Sequence, residues 1–192
     1  MTNAIIIHGT GGSPDGNWFP WMKGKLESIG MKTYVPRFPL EEQQNLTNWM
    51  NEFDKYRQFL SQDTIMIGHS LGPGFIFNVL EKIDFKIRAA FLVSPFIGLL
   101  NNGSPSNAYF NNLNKTFVDK DFNFKKIKDN CQKFYIYYGD DDPYVPCEKP
   151  EYLIKELRAD YRIIKNGGHL NAEFGYTEFE MLFEDIKKEV SI

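Results

Sequence analysis

Cysteine and histidine are scarce in this sequence, positive charge does not predominate, and long apolar runs are missing. Only Cys131 and Cys147 stand among 192 residues. Two thiols are too few for a disulfide framework, and they lack the spacing of a metal site, so they read as ordinary thiols of a reducing compartment. Met1-Thr2-Asn3 runs straight into the aliphatic core Ala4 to Ile7, without a basic leader or a stretch of membrane-spanning length; neither secretion nor insertion into a membrane is encoded. Lys and Arg number 22 against 25 Asp and Glu, a net charge of −3, and they are scattered among acids, which gives no footprint for nucleic acid. The one basic cluster, Lys125-Lys126-Ile127-Lys128, is flanked by Asp119, Asp121 and Asp129 and reads as a solvated helix face. No repeat or linker divides the chain. A soluble cytoplasmic protein follows, one domain over residues 1–192, its 42% hydrophobic content sufficient for a continuous core.

What is present is an alternation of short aliphatic runs with helix-period stripes. Ala4 to His8, Thr33 to Val35, Thr64 to Ile67, Arg88 to Val93, Lys133 to Tyr138 and Tyr161 to Lys165 read as strands. The unbroken run Ala4-Ile5-Ile6-Ile7 suits a parallel strand covered on both faces. Between the strands, Trp18, Trp21, Met22, Leu26 and Ile29 recur at helical spacing up to Gly30, and Leu46 to Leu60 reads as one long amphipathic helix capped by Asn45 or Thr47. Helices are also expected over Phe75 to Ile83, about Glu148 to Leu157, and Glu173 to Val190. Such alternation predicts an α/β fold, a parallel sheet joined by right-handed crossovers with helices on both faces. Ser94 to Lys120 breaks the rhythm. It is rich in Asn, Gly, Ser and Pro, and is either a wall or lid of a substrate site or a surface excursion with a short helix.

The chemistry gathers at Ile65-Met66-Ile67-Gly68-His69-Ser70-Leu71-Gly72. An apolar strand ends in Gly-x-Ser-x-Gly and a helix-period segment resumes, which is the sequence form of a nucleophile elbow. A serine hydroxyl needs a base, and the base needs an orienting acid. Of three histidines, His69 diverges from its neighbour Ser70 along the elbow, and His8, at a strand end before a Gly-rich loop, more readily shapes a site than moves a proton. His169, on the loop Asn166-Gly167-Gly168-His169, follows the serine in sequence with two glycines to allow close approach, and is the expected base. The acid should lie between them, past a strand end, where Gly139-Asp140-Asp141-Asp142-Pro143 offers three adjacent carboxylates. Pro143 and Pro146 stiffen the loop around Asp142, the first choice; Asp141 is second, and Asp140 is expected to cap or terminate the strand. The ligand spacing of a calcium loop is missing. An oxyanion needs two backbone N–H donors: Leu71, after the nucleophile, and Thr10 or, second, Gly11 in His8-Gly9-Thr10-Gly11-Gly12. No Gly-Lys-Ser/Thr closes that loop into a phosphate-binding motif.

With these motifs assembled, the chain resembles the small α/β-hydrolases of the retinoblastoma-binding protein nine and YdeN type over nearly its whole length. The likeness is carried by Trp18 to Trp21, Gly68-His69-Ser70, Val93-Ser94, Tyr109-Phe110, Lys126-Ile127-Lys128 before Asn130-Cys131, Asp141-Asp142-Pro143, and Gly168-His169 followed by Asn171 and Glu173-Phe174. The resemblance implies a compact six-stranded sheet without a large cap domain, a triad of Ser70, Asp142 and His169, and carboxylesterase-like activity with no cofactor. The Leu-x-Cys-x-Glu motif of the vertebrate member is absent, so binding to a retinoblastoma protein does not carry over. The expected reaction is a two-step acyl transfer on a small ester, thioester or amide. Trp18, Phe96, Phe110 and Tyr144 either line an apolar acyl pocket or pack the core. The competing reading is a protein-interaction module that keeps the hydrolase fold without turnover.

Overall fold

The aliphatic runs become strands whose two faces are buried against different helices. The computed structural model describes residues 2–101 and 107–190. Its strands are β1 (Asn3–Ile7), β2 (Lys32–Tyr34), β3 (Ile65–His69), β4 (Ile87–Val93), β5 (Cys131–Gly139) and β6 (Asp160–Ile164). All pair in parallel in the order β2-β1-β3-β4-β5-β6. Because side chains alternate across a strand, Ala4 and Ile6 of β1, Ile65 and Ile67 of β3, and Ala89, Phe91 and Val93 of β4 face one layer. That layer is α1 (Phe19–Ser28) and α7 (Glu180–Val190), through Phe19, Met22, Leu26, Leu182 and Ile186. Ile5, Ile7, Met66, Ala90 and Leu92 face the other. There they meet α2 (Leu46–Phe53), α3 (Gly72–Leu80), α4 (Asn107–Val118), α5 (Phe124–Asp129) and α6 (Glu148–Leu157). Residues of α3 from Gly72 to Leu80 are all buried, as a helix packed along the centre of a sheet must be. The result is a three-layer α/β sandwich with the parallel sheet in the middle.

Three local departures from the sequence reading have physical causes. The long helix expected from Leu46 to Leu60 is α2, capped by Asn45 Oδ1 accepting from the Asn48 N–H at 2.9 Å, followed by a 3₁₀ helix over Asp54–Phe59. Phe53, Tyr56 and Phe59 are three apart, a spacing that matches the tighter helix better than the α-helix. The last helix starts at Glu180, not Glu173; Ala172–Phe174 is a 3₁₀ turn that ends at Gly175, whose φ is 86°. The Asn-rich segment after β4 contains the 12-residue α4, which belongs to the surface-excursion alternative in shape but lies against the site; residues 102–106 of this segment lie outside the described residues. The basic cluster is on α5, where Lys125 pairs with Asp129 at 2.6 Å and Lys128 Nζ donates to the Glu156 carbonyl. No helix among the described residues is long and apolar enough to cross a membrane.

The strand order reverses direction between β1 and β3, since the chain first builds outward to β2 and then returns. In open parallel sheets the crevice at such a switch point, beyond the C-terminal strand ends, is where ligands bind. The loop after β1 and the turn after β3 are the two segments that flank it here.

Candidate active site

The turn from β3 into α3 forces Ser70 into the left-handed region, φ 58°. A non-glycine residue held there costs on the order of 1–3 kcal/mol, and such strain collects at functional sites. The small residues on either side are sterically obligatory. A Cβ on Gly68 would lie 2.7 Å from the Pro73 nitrogen, and one on Gly72 would lie 2.5 Å from the Ile7 carbonyl oxygen. The Ser70 N–H donates to the Val93 carbonyl at 2.9 Å, which fixes the bend against the end of β4.

Beyond β5, the three aspartates each hold a different atom of the histidine loop. Asp140 Oδ1 accepts from the Asn166 N–H at 2.8 Å, and Asp141 Oδ1 accepts from the Gly168 N–H at 2.8 Å. Asp142 Oδ2 meets His169 Nδ1 at 2.7 Å, with the two side chains only 2% and 8% exposed. The carboxylates therefore diverge to three partners and do not converge on one point. Asp140 is the first residue past β5, the terminating position expected from sequence, and its carboxylate anchors the opposite loop and does not cap the strand. The two loops come together because Gly139 has no side chain: a Cβ there would lie 2.3 Å from the Gly168 carbonyl oxygen. Asp142 Oδ1 accepts in turn from the Tyr144 and Val145 N–H groups at 2.9 and 3.0 Å. A carboxylate so fixed accepts from Nδ1–H, which assigns the tautomer and leaves Nε2 as the basic ring nitrogen.

The other two histidines are buried and neutral. His69 Nε2 donates to the His169 carbonyl at 2.9 Å, and its ring packs edge-on to that of His169 with centroids 4.9 Å apart. Burial first, and the neighbouring His169 ring second, push its pKa down to about 3. His69 thus ties the elbow to the His169 loop and takes no part as a base. Ser94 Oγ donates to the same carbonyl at 3.2 Å from a backbone also in the left-handed region, φ 46°. Neither residue's part in holding that carbonyl was read from sequence; Val93-Ser94 appeared only as a point of family likeness. His8 is held by Nδ1–H to the Gly9 carbonyl at 2.8 Å while Nε2 accepts from the Phe38 N–H at 3.4 Å. Burial is the main cause of its lowered pKa. It shapes the loop after β1, between the edges of Phe38 and Trp49.

That loop distinguishes its two candidate donors. The Gly11 N–H is occupied, donating to Gln44 Oε1 at 3.0 Å. The Thr10 and Leu71 N–H groups have no hydrogen-bond partner among the described residues. The Leu71 N–H stands at the start of α3, where the helix dipole favours negative charge. Of the four aromatic candidates, Trp18 and Phe96 are fully or almost fully buried, and the Trp18 indole donates to the Leu170 carbonyl at 3.0 Å. They take the core alternative and offer a substrate no surface. Phe110, 41% exposed on α4, packs edge-on to Tyr109. Tyr144, 39% exposed, stands perpendicular to the His169 ring at 5.2 Å and bonds both Glu173 carboxylate oxygens through its hydroxyl.

A strained serine between a sheet and a helix N-terminus, with a buried carboxylate–imidazole pair at the same sheet edge, places the chain among the α/β-hydrolases. More narrowly, residues 4–188 match the family model described as serine hydrolase, and the chain belongs to that family. It is 25% identical over 185 residues to the hydrolase YdeN of Bacillus subtilis (strain 168), covering 96% of this chain and 94% of that one. It is 26% identical over 190 residues to the serine hydrolase RBBP9 of Rattus norvegicus, covering 97% and 94%. The crystal structure of the B. subtilis ydeN gene product superposes with a TM-score of 0.90 over the whole of both chains, at 25% identity.

Proposed function

We propose that the chain is a carboxylesterase-like serine hydrolase that cleaves an ester, or a related thioester or amide, of a small substrate through an acyl-enzyme on Ser70. The observation that carries this reading is the buried 2.7 Å contact of Asp142 with His169 Nδ1. It orients an imidazole whose other nitrogen is free to take a proton. Ser70 Oγ attacks the carbonyl carbon as its proton passes to His169 Nε2, and the oxyanion accepts from the Leu71 and Thr10 N–H groups. The intermediate collapses, the C–O bond to the alcohol breaks, and His169 returns the proton to the leaving oxygen. Water then attacks the acyl-enzyme by the same route and frees the acid. Phe110 and Tyr144 supply apolar surface beside the acyl group. No cofactor enters this cycle. The two cysteines are unpaired, in keeping with a reducing compartment such as the cytoplasm.

A fluorophosphonate probe tests the reading. It is expected to label the native chain once, at Ser70, with no labelling of a folded Ser70→Ala variant. Absence of labelling on folded native protein would replace the enzyme with a binding module. A panel of p-nitrophenyl, thioester and aminoacyl substrates then sorts the bond type.

A further inference from the structure

The loop that carries Thr10 is held from outside by a small buried polar relay. Gln44 and Asn114 are 4% and 3% exposed, and neither belongs to the elbow or to the acid and histidine loops. Gln44 Oε1 accepts from the Gly11 N–H at 3.0 Å. Gln44 Nε2 donates to Asn114 Oδ1 at 3.2 Å, and Thr10 Oγ1 donates to the same oxygen at 2.7 Å. Three segments far apart in sequence, the loop after β1, the segment before α2, and α4, therefore meet at one carbonyl oxygen. Gly11 adopts φ 63° with open space where a side chain would stand, so packing does not hold the loop at that residue, whereas the Gly9 carbonyl is held by the Gly12 N–H at 3.1 Å and His8 Nδ1 at 2.8 Å. The relay supplies the constraint on the Thr10 side chain and the Gly11 N–H.

Building on the acyl-transfer reading, we infer that Gln44 and Asn114 are positioning residues that aim the Thr10 N–H at the developing oxyanion. Gln44 engages the Gly11 N–H, which removes the competing donor and pins the peptide that follows Thr10, while the Thr10 N–H, on the preceding peptide, keeps no hydrogen-bond partner among the described residues. Asn114 fixes the Thr10 side chain by accepting from its hydroxyl. Because Asn114 lies on α4, the loop of the oxyanion donor is bonded to the helix that carries Phe110. A donor that is misdirected but still present forfeits transition-state stabilisation without changing how the ground-state ester binds.

The test compares Gln44→Met, Asn114→Leu and the double variant with the native chain, using p-nitrophenyl butyrate for turnover and phenylboronic acid as a tetrahedral-adduct mimic. Each single variant is expected to lower kcat about 10- to 100-fold, less than the loss of a whole oxyanion donor, with KM within about twofold. Boronate affinity should fall by the same factor as kcat/KM. The double variant should lose no more than about the worse single one, since the two amides bond each other and both act through Thr10. Folded single variants with kcat within about twofold of native, or with the loss confined to KM, would overturn the inference. If both fail to fold, Thr10→Val, at a half-buried position, carries the same expectation and the same refutation. Failure of the native chain to react with a fluorophosphonate at Ser70 sinks the parent reading and this inference together. Labelled, active native protein with unimpaired variants sinks this inference alone.

Discussion

Replacing Asp142 by asparagine is the most incisive perturbation of the site, because its surroundings dictate how the amide must sit. Oδ1 accepts from the Tyr144 and Val145 N–H groups at 2.9 and 3.0 Å, and Oδ2 meets His169 Nδ1 at 2.7 Å. An amide has one acceptor oxygen and one donor NH₂. Two backbone donors claim the oxygen, so the NH₂ must face the imidazole. Nδ1 then has to accept, the ring proton moves to Nε2, and the nitrogen that should take the Ser70 proton carries one already. In serine proteases the equivalent exchange lowers kcat by about 10⁴ with little change in geometry, equivalent to about 5.5 kcal/mol at 1.36 kcal/mol per decade. Asp142→Asn should lose turnover of p-nitrophenyl butyrate by about 10³- to 10⁴-fold, with KM little changed. The acid's contribution to packing survives, so the melting temperature should move by only a few degrees. More than about one-tenth of native kcat in a folded Asp142→Asn protein would refute the reasoning, since it would mean the imidazole does not depend on this carboxylate for its tautomer.

Three further outcomes follow from the same geometry. Ser70 is strained at φ 58°, so Ser70→Gly should be about 1 kcal/mol more stable than Ser70→Ala, a separation of roughly 2–4 °C in melting temperature for a domain of this size; equal melting points would remove strain from the account of the elbow. His69 is held neutral in the fold, down to about 3, whereas the unfolded chain binds that proton near the ordinary value of about 6.5. The unfolded state thus gains protons first, and stability falls as pH drops below that value, by up to about 1.4 kcal/mol per pH unit for this residue. Urea titrations between pH 7.5 and 5.5 should show a shallower decline for His69→Gln, and parallel declines would contradict it. Gly139→Ala drives a Cβ to 2.3 Å from the Gly168 carbonyl; it should cost more than about 2 kcal/mol and separate the acid loop from the histidine loop, measurable as joint loss of stability and turnover.

What was legible in the sequence is local chemistry with its own steric signature. The elbow announces itself because only glycine fits at 68 and 72, and the base loop because Gly167 and Gly168 precede His169. The aliphatic strands announce themselves because burial on both faces leaves no room for alternation, as in Ile5-Ile6-Ile7, each fully buried. The helix boundaries were less legible, since Phe53, Tyr56 and Phe59 satisfy a 3₁₀ period as well as a frayed α-helix. α4 was obscured by composition: asparagine is a weak helix former, and the segment 107–118 contains four of them.

Tertiary contacts override that weakness. Phe117 and Val118 are fully buried, a Cβ on Gly74 would lie 2.6 Å from Val118 Cγ1, and Asn111 both donates to and accepts from the Leu100 backbone at 2.8 and 2.9 Å. Buried and half-buried amides of this kind satisfy backbone groups of other segments, Asn111 at Leu100, Asn130 at the Leu80 and Ile83 carbonyls, and Gln44 at Gly11. Such bonds have no periodicity and join residues 11 to 50 positions apart. A sequence can mark the atoms that react, because their chemistry restricts the residue type. It leaves unmarked the amides that aim them, because any of several side chains of similar length could in principle make the same bond, and only the fold decides which one is within reach.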